Sequence, residues 1–355
     1  MKRVFYNARI ITMDRCLPAA EAVIVKNGKI LRVGSSGQLL SAAGGSAEKI
    51  DLGGRTVIPG LTDSHTHLFL YACRKRWIDL RGARSAEDII SAAAGQIDNK
   101  IGDWILGRGW DQNMMDNPSL PALEKIDTVT GDNPAFLERI CGHEALVNSA
   151  AMSRAGLERC RPNPAGGRII WEKGLVQDKA VDIIRSAIDT PSRAVRKKLL
   201  EAAAEEMLSL GITGVHDMGM NVDALECYSG LAASGDLRIR VAGYFPGAED
   251  KPADIAEQVR DAAKLKSDFL SVPGVKLFAD GSLGARTAAM TGDYSDDPGN
   301  RGIIVTESKE LRRRVEFFHG SSIQAAVHAI GDRANRMVLD VFEETLGKSP
   351  GKGLR

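Results

Sequence analysis

Thr56-Val57-Ile58-Pro59-Gly60-Leu61-Thr62-Asp63-Ser64-His65-Thr66-His67 is the stretch whose reading decides the fold. Val57 and Ile58 predict the start of a buried apolar strand. Pro59 and Gly60 predict that the strand enters from a turn or bends there. His65 and His67 stand at its end, two residues apart. Strand side chains alternate faces, so both imidazoles point to one side. Two histidines converging at a strand tip can ligate a divalent metal through nitrogen. The plainer alternative is two polar residues leaving a strand.

The 355 residues exceed one ordinary domain, but an α/β barrel fills most of that length. A composition of 43% hydrophobic and 26% charged residues is that of a soluble globular protein. A net charge of +1 gives no reason to expect nucleic acid or an acidic membrane as partner. No apolar run reaches membrane-spanning length, and Asn7, Arg9 and Asp14 interrupt the N-terminus too early for a signal peptide. Cys16, Cys73, Cys141, Cys160 and Cys227 are scattered without Cys-x-x-Cys, so they read as free thiols in a reducing cytoplasm.

Residues 1–55 predict a small β domain. Val4 to Met13, Ala22 to Lys26 and Lys29 to Val33 are β-prone, and Asn27-Gly28 is a two-residue hairpin signal. After His67 the next convincing core strand is Ile212 to Asp217, preceded by a helix over Arg196 to Leu210. Strands are then expected at Arg238 to Phe245, Gly274 to Ala279 and Ile323 to Ala329. Helices are expected at Pro252 to Lys266, Ser308 to His319 and Asp332 to Leu346. This alternation argues for a parallel sheet covered by helices, with five barrel-type strands. The interval at about 70–195, with a further strand near Ala135 to Ile140, reads as an insertion at the mouth of a barrel occupying 56–355.

Six stretches carry a resemblance. They are Pro59-Gly60-Leu61 running to His65-x-His67, Gly107-Arg108-Gly109-Trp110-Asp111-Gln112-Asn113, Arg139-Ile140-Cys141-Gly142-His143 with Asn148-Ser149, Gly211 to Gly219, Val275 to Gly284, and Val327 to Asn335. In this order they resemble the amidohydrolase superfamily of metal-dependent hydrolases, in the branch that includes N-substituted formamide deformylases. The resemblance implies a (β/α)8 TIM-barrel fold and a small β-sandwich portion to which the N-terminal residues contribute.

It further implies that His65, His67 and His328 are metal ligands and that Lys276 is carbamylated and bridges two divalent ions. A desolvated lysine near cations favours its amine form, which can take up carbon dioxide and become an anionic oxygen ligand. Zinc is the first choice of metal, with iron, manganese or cobalt as alternatives. Read from residue type alone, Lys276 could instead snorkel from a strand end, and His328 could be a core histidine bonded to a carbonyl. His216 and Asp217 are expected to face the same mouth in supporting or pocket roles. His143, Trp110, Asp111 and Asp280 are candidates for substrate contact. For His143 the alternative is fixing the Asn148-Ser149 loop, and for Asp280 it is membership of a tight loop.

The family pattern also calls for a further histidine and a strand-end aspartate. Neither follows His328 before Pro350-Gly351-Lys352-Gly353-Leu354-Arg355, and Asp340 is expected on a helix. The expectation is therefore a barrel incomplete at its C-terminus, with open edges that a C-terminal segment or a second copy would cover. The activity implied is hydrolysis of a non-peptide C–N bond in a small N-substituted amide or formamide by a metal-activated water, with Lys276 and His328 in the catalytic set. The competing readings are a non-catalytic or partner-dependent fragment and a mononuclear deaminase of the same superfamily.

Overall fold

The computed structural model describes residues 1–97, 100–159, 162–164, 167–189, 191–248, 251–265, 267–284 and 286–348. Cys160 and the Pro350-to-Arg355 stretch lie outside the described residues. The chain divides into two compact units, Met1–Asp63 with Leu210–Gly214, and Ser64–Ser209 with Val215–Arg355.

The first unit is built from short strands. Lys29–Gly34, Ala22–Lys26, Lys2–Tyr6 and Glu48–Asp51 form a four-stranded sheet in that order. Asn27 and Gly28, at φ 52° and 76°, supply the left-handed pair that a tight hairpin requires. Val4 and Ile24 are buried with Leu39 and Ala43 of the Ser36–Ala43 helix. The deciding stretch behaves differently from its reading as one buried strand. Thr56–Val57 joins a three-stranded sheet with Arg9–Ile11 and Ala19–Ala20, the chain breaks at Ile58–Gly60, and Leu61–Thr66 begins anew. Ile58 and Leu61 are exposed. Pro59 has no N–H to give a ladder, so pairing stops there. Gly60 passes so close to Thr213 that a Cβ would sit 2.0 Å from its Oγ1.

Five strands form one sheet in the order Gln324–His328, Leu270–Phe278, Arg240–Pro246, Ile212–Asp217, Leu61–Thr66. The Leu270–Phe278 strand is parallel to both of its neighbours. Helices Val222–Ser234, Pro252–Ala263 and Ser308–Gly320 connect successive strands, and Asp332–Lys348 follows the last. Leu61–Thr66 lies at a sheet edge, which explains its exposure. Most of the helix and strand positions expected from periodicity are present within a few residues. The Leu270–Phe278 strand starts four residues earlier than expected, because Pro273 interrupts its pattern without ending it.

Residues 78–178 contain a second sheet, ordered Gly167–Ile170, Leu175–Asp178, Glu144–Val147, Ala135–Arg139, Ile105–Trp110, Ile78–Asp79. Its two faces are covered by separate apolar clusters. Trp104, Leu106 and Phe136 lie in one, and Ile105, Trp110 and Leu137 lie in the other. Alternating residues of a strand buried on both sides produce this split. No helix among the described residues is long and apolar enough to cross a membrane.

Register between the Leu270–Phe278 and Gln324–His328 strands pairs Gly274 with Gln324 and Phe278 with His328. A Cβ at Gly274 would lie 2.0 Å from the Gln324 carbonyl oxygen. Gly274→Ala is expected to destabilise the protein by about 1–3 kcal/mol in urea unfolding, because backbone must move. Gly37→Ala, in a helix with open space around it, should be neutral or stabilising by up to about 1 kcal/mol. Equal effects would refute the close-approach account.

Candidate metal centre and its surroundings

His65 is the penultimate residue of its strand, and His67 caps the Leu68–Arg74 helix. Two-residue spacing brings their rings to 6.0 Å between centroids, nearly edge to face. Lys276 is buried, and its Nζ lies 3.5 Å from His65 Nε2. His67 also packs against Gly219, where a Cβ would come within 2.8 Å of Nδ1. Thus His65, His67 and Lys276 meet at the carboxyl ends of their strands. Two imidazoles and an amine convertible to an oxygen ligand suit a divalent metal in kind. Among the described residues no three His, Cys, Asp or Glu side chains are placed to hold an ion together.

His328 ends its strand beside Phe278, at 5.4 Å between ring centroids, and Phe278 lies 5.4 Å from Lys276 Nζ. Its Nε2 is 2.8 Å from the Gly281 carbonyl and 3.6 Å from Asp280 Oδ1. A carbonyl only accepts, so Nε2 carries the proton and Nδ1 is the nitrogen left to accept or ligate.

Asp280 is buried and accepts from Ala289 N at 2.9 Å, Ile330 N at 3.0 Å and Gly331 N at 2.8 Å. These bonds occupy both carboxylate oxygens, so Asp280 holds the loop rather than presenting a free carboxylate to substrate. Asp217 is also buried, accepting from Phe69 N at 3.1 Å, Tyr228 Oη at 2.7 Å and Gly219 N at 3.2 Å. It does not share a mouth with His216, since consecutive strand residues face opposite ways. His216 lies 6.1 Å from the Tyr244 ring, whose hydroxyl bonds Gln324. Asp217 acts instead on the start of the helix that follows His67.

The candidates from the second sheet are dispersed. Trp110 is fully buried, and its Nε1 donates to Leu137 O at 2.6 Å, so it is a core residue and not a surface for substrate. Asp111 accepts from Asn113 N and from Arg139 at 2.7 Å. His143 is exposed beside Asp178, with Nδ1 3.6 Å from its carboxylate. The Asn148-Ser149 loop is fixed by other groups. The buried Asn148 amide bonds Ala135 N, Ala151 N and Asn133 O, and Ser149 bonds Asp127.

One cluster was missed from sequence. Glu138, almost fully buried, lies 2.7 Å from Arg185, 3.0 Å from Arg108 and 3.8 Å from Arg74. Burial pulls the Arg74 guanidinium below its usual value, Glu138 opposes that, and Arg108 and Arg185 add to it. A charged residue in the middle of the apolar run Ala135–Arg139 was the available signal. Arg74 and Arg108 line a cavity of about 570 Å³ with Thr66, His67, Trp77 and Arg81 among its other walls. Two other cavities, of about 610 and 620 Å³, contain none of the histidines.

Strand–helix alternation around a parallel sheet, with histidines and a lysine at strand carboxyl ends, defines a TIM-barrel-like α/β protein. Residues 48–355 match the Amidohydrolase family (Amidohydro_3), and the chain belongs to that family. It is 33% identical over 357 residues to the putative amidohydrolase YtcJ of Bacillus subtilis, covering 97% of this chain and 66% of that protein. It is 26% identical over 358 residues to the N-substituted formamide deformylase of Arthrobacter pascens, covering 95% of this chain and 65% of that protein. The solved structure of an uncharacterized metal-dependent hydrolase from Pyrococcus horikoshii superposes with a TM-score of 0.80 at 30% identity, over 97% of this chain and 68% of that one. The chain thus spans slightly less than two thirds of the length of these two curated relatives.

Two expectations follow. Asp280→Ala leaves three backbone N–H groups, two of them buried, without their acceptor, so it should cost about 2–4 kcal/mol in urea unfolding. A loss below about 0.5 kcal/mol would show that Asp280 does not hold the loop. The second concerns alkaline pH. Burial pushes the Cys73 thiol up to about 11 from 9.0, and the Glu206 hydrogen bond pushes Tyr71 up to about 12 from 10.0. The folded state therefore holds these protons more tightly than the unfolded chain. That stabilisation is complete below pH 9 and is lost as pH rises through about 11. Cys73→Ala should flatten the fall in melting temperature over that window, and an unchanged slope would contradict the assignment.

Proposed function

We propose that this chain serves a metal-dependent hydrolase of non-peptide C–N bonds, acting on N-substituted amides of the formamide type. The observation that carries the reading is the approach of Lys276 Nζ to His65 Nε2 at 3.5 Å beside His67, at the carboxyl end of the sheet. His65, His67, Lys276 and His328 are the proposed ligands, with zinc favoured and iron, manganese or cobalt as alternatives. A divalent ion held there would polarise an amide carbonyl and lower the pKa of water.

The residues' own parts follow from position. His65 and His67 offer imidazole nitrogens from one face of one strand. The Lys276 amine, in neutral form, can attack carbon dioxide. An N–C bond forms as one C=O π bond of carbon dioxide opens onto oxygen, one proton leaves to solvent, and the neutral amine becomes an anionic carbamate. His328 donates its Nε2 proton to Gly281 O, which orients the ring and leaves Nδ1 as its basic atom. Asp217 fixes the turn after His67 through Phe69 N. The formamide class is supported by the deformylase of Arthrobacter pascens, which aligns with most of this chain. Cys16, Cys73, Cys141 and Cys227 are unbridged, which supports a cytoplasmic setting.

The test is zinc titration by calorimetry, with bound metal counted by elemental analysis. Wild type should bind zinc, and the His65→Ala/His67→Ala double variant should lose binding roughly 100-fold or more, with an unchanged circular dichroism spectrum. Two ions per chain support the bridging lysine, and one supports the deaminase alternative. Lys276→Arg should bind no better than Lys276→Ala, because guanidinium stays cationic and cannot ligate. Zinc binding that survives the double variant would overturn the ligand assignment. Release of amine from N-substituted formamides, assayed with zinc or manganese, tests the substrate class, and release from ordinary peptides only would overturn it.

A further inference from the structure

The cavity at His67 carries more positive charge than its walls neutralise. Its two lining carboxylates are committed locally. Asp79 holds Arg81 at 2.6 Å, and Glu206 bonds Lys75. That leaves Arg74 and Arg108, which share the single buried carboxylate of Glu138 with Arg185. Arg185 also pairs with Asp182 at 2.7 Å, so three guanidiniums face two carboxylates and one positive charge is left over in a partly desolvated place. Among the described residues Arg74 Nε is buried without a hydrogen-bond partner.

If the cluster only joined helix Lys179–Ala187 to its sheet, Arg185 would suffice. It reaches Glu138 at 2.7 Å and Gly142 O at 3.1 Å. Arg108 and Arg74 are additional, and bringing like charges together costs energy unless an anion offsets them. Arg108 is 42% exposed, with Nε on Glu138 and Nη2 donating to Ile140 O at 3.4 Å, so an incoming group meets a guanidinium already held on one side. A guanidinium matches the planar, two-oxygen geometry of a carboxylate. His67 lines the same cavity, so a molecule held there reaches the histidine pair.

We propose that this cavity is a carboxylate subsite. Arg108 and Arg74 bind the anionic end of the substrate, and Glu138 and Arg185 hold the two guanidiniums in place. Resting on the hydrolase reading above, this names the substrate class as amides that bear a carboxylate, such as N-formyl amino acids, and not neutral formamides.

The experiment measures binding by calorimetry in EDTA, so it needs neither metal nor turnover. N-formylglycine is compared with N-formylglycinamide at about 0.02 M and about 0.15 M salt, with acetate and phosphate as further probes. N-formylglycine should bind roughly tenfold or more tighter than the amide, and more weakly at the higher salt. Arg108→Gln should remove that preference while zinc binding and circular dichroism stay unchanged, because Glu138 keeps Arg185. Arg108→Lys should restore part of it, since charge remains and the fork is lost. Equal affinity for the two formyl compounds, or a preference that survives Arg108→Gln, overturns the proposal. Phosphate or acetate binding as tightly as N-formylglycine would show an unspecialised anion patch and overturns it as well. Loss of zinc binding in wild type with the carboxylate preference intact would defeat the metal reading alone.

Discussion

The carboxylate of Asp280 is the contact on which the ordered end of the sheet depends. It sits just past the Lys276 strand and collects three backbone N–H groups from two later segments, around Ala289 and at Ile330–Gly331. Without it those groups, two of them buried, would lose this acceptor. The consequence reaches His328. Ala279 N donates to His328 O, and the Gly281 carbonyl receives the His328 ring proton. The orientation and tautomer of the ring are therefore set by a loop that Asp280 holds. Gly331 completes the arrangement, since a Cβ there would lie 1.9 Å from Ala289 O.

Three buried carboxylates do comparable work by different means. Asp280 and Asp217 are satisfied mainly by neutral donors, so their negative charge is stabilised but not cancelled. Both stand beside histidine-bearing segments, where residual negative potential favours a cation. Glu138 is surrounded by guanidiniums and its charge is exceeded. Charge at the histidine end and charge at the arginine cluster therefore have opposite sign preferences, and the His67 cavity borders both.

Much of this was legible in the chain itself. Strand–helix alternation from Ile212 onward follows periodicity, and four of the five strands of the sheet carry His65, His216, Lys276 or His328 at or near their ends. Pairing His65 with His67 needed only the two-residue period. The same rule separates His216 from Asp217, so the misplacement of Asp217 came from not applying it. Pro59 and Gly60 signalled the break in the deciding stretch, but a hydrophobic run does not reveal that Ile58 beside it is exposed. The Gly107-to-Asn113 motif suggested substrate contact, yet its glycines answer to packing. A Cβ at Gly107 would meet Leu137 and Leu80 at 3.0 Å, and Gly109 sits at φ 114° against Arg81. The Glu138 cluster draws on residues 74, 108, 138 and 185, which only the fold brings together.

On the proposed hydrolysis, the placement of the arginine cluster also bears on how substrate and product are held. Hydrolysis of an amide yields a carboxylic acid and an amine, and near neutral pH the amine takes up a proton. A simple ammonium product would be repelled by a cavity with an uncompensated positive charge, so such a field would discriminate little in favour of neutral formamides. An amine that also carries a carboxylate is a zwitterion. Its anionic end can stay on the guanidiniums while its ammonium end turns outward to solvent. The field would then hold the substrate before cleavage and weaken its hold afterwards, because a positive charge has been created within the same small molecule. Differential binding of that kind favours turnover over product retention, and it requires the excess charge that Arg74 and Arg108 bring to Glu138.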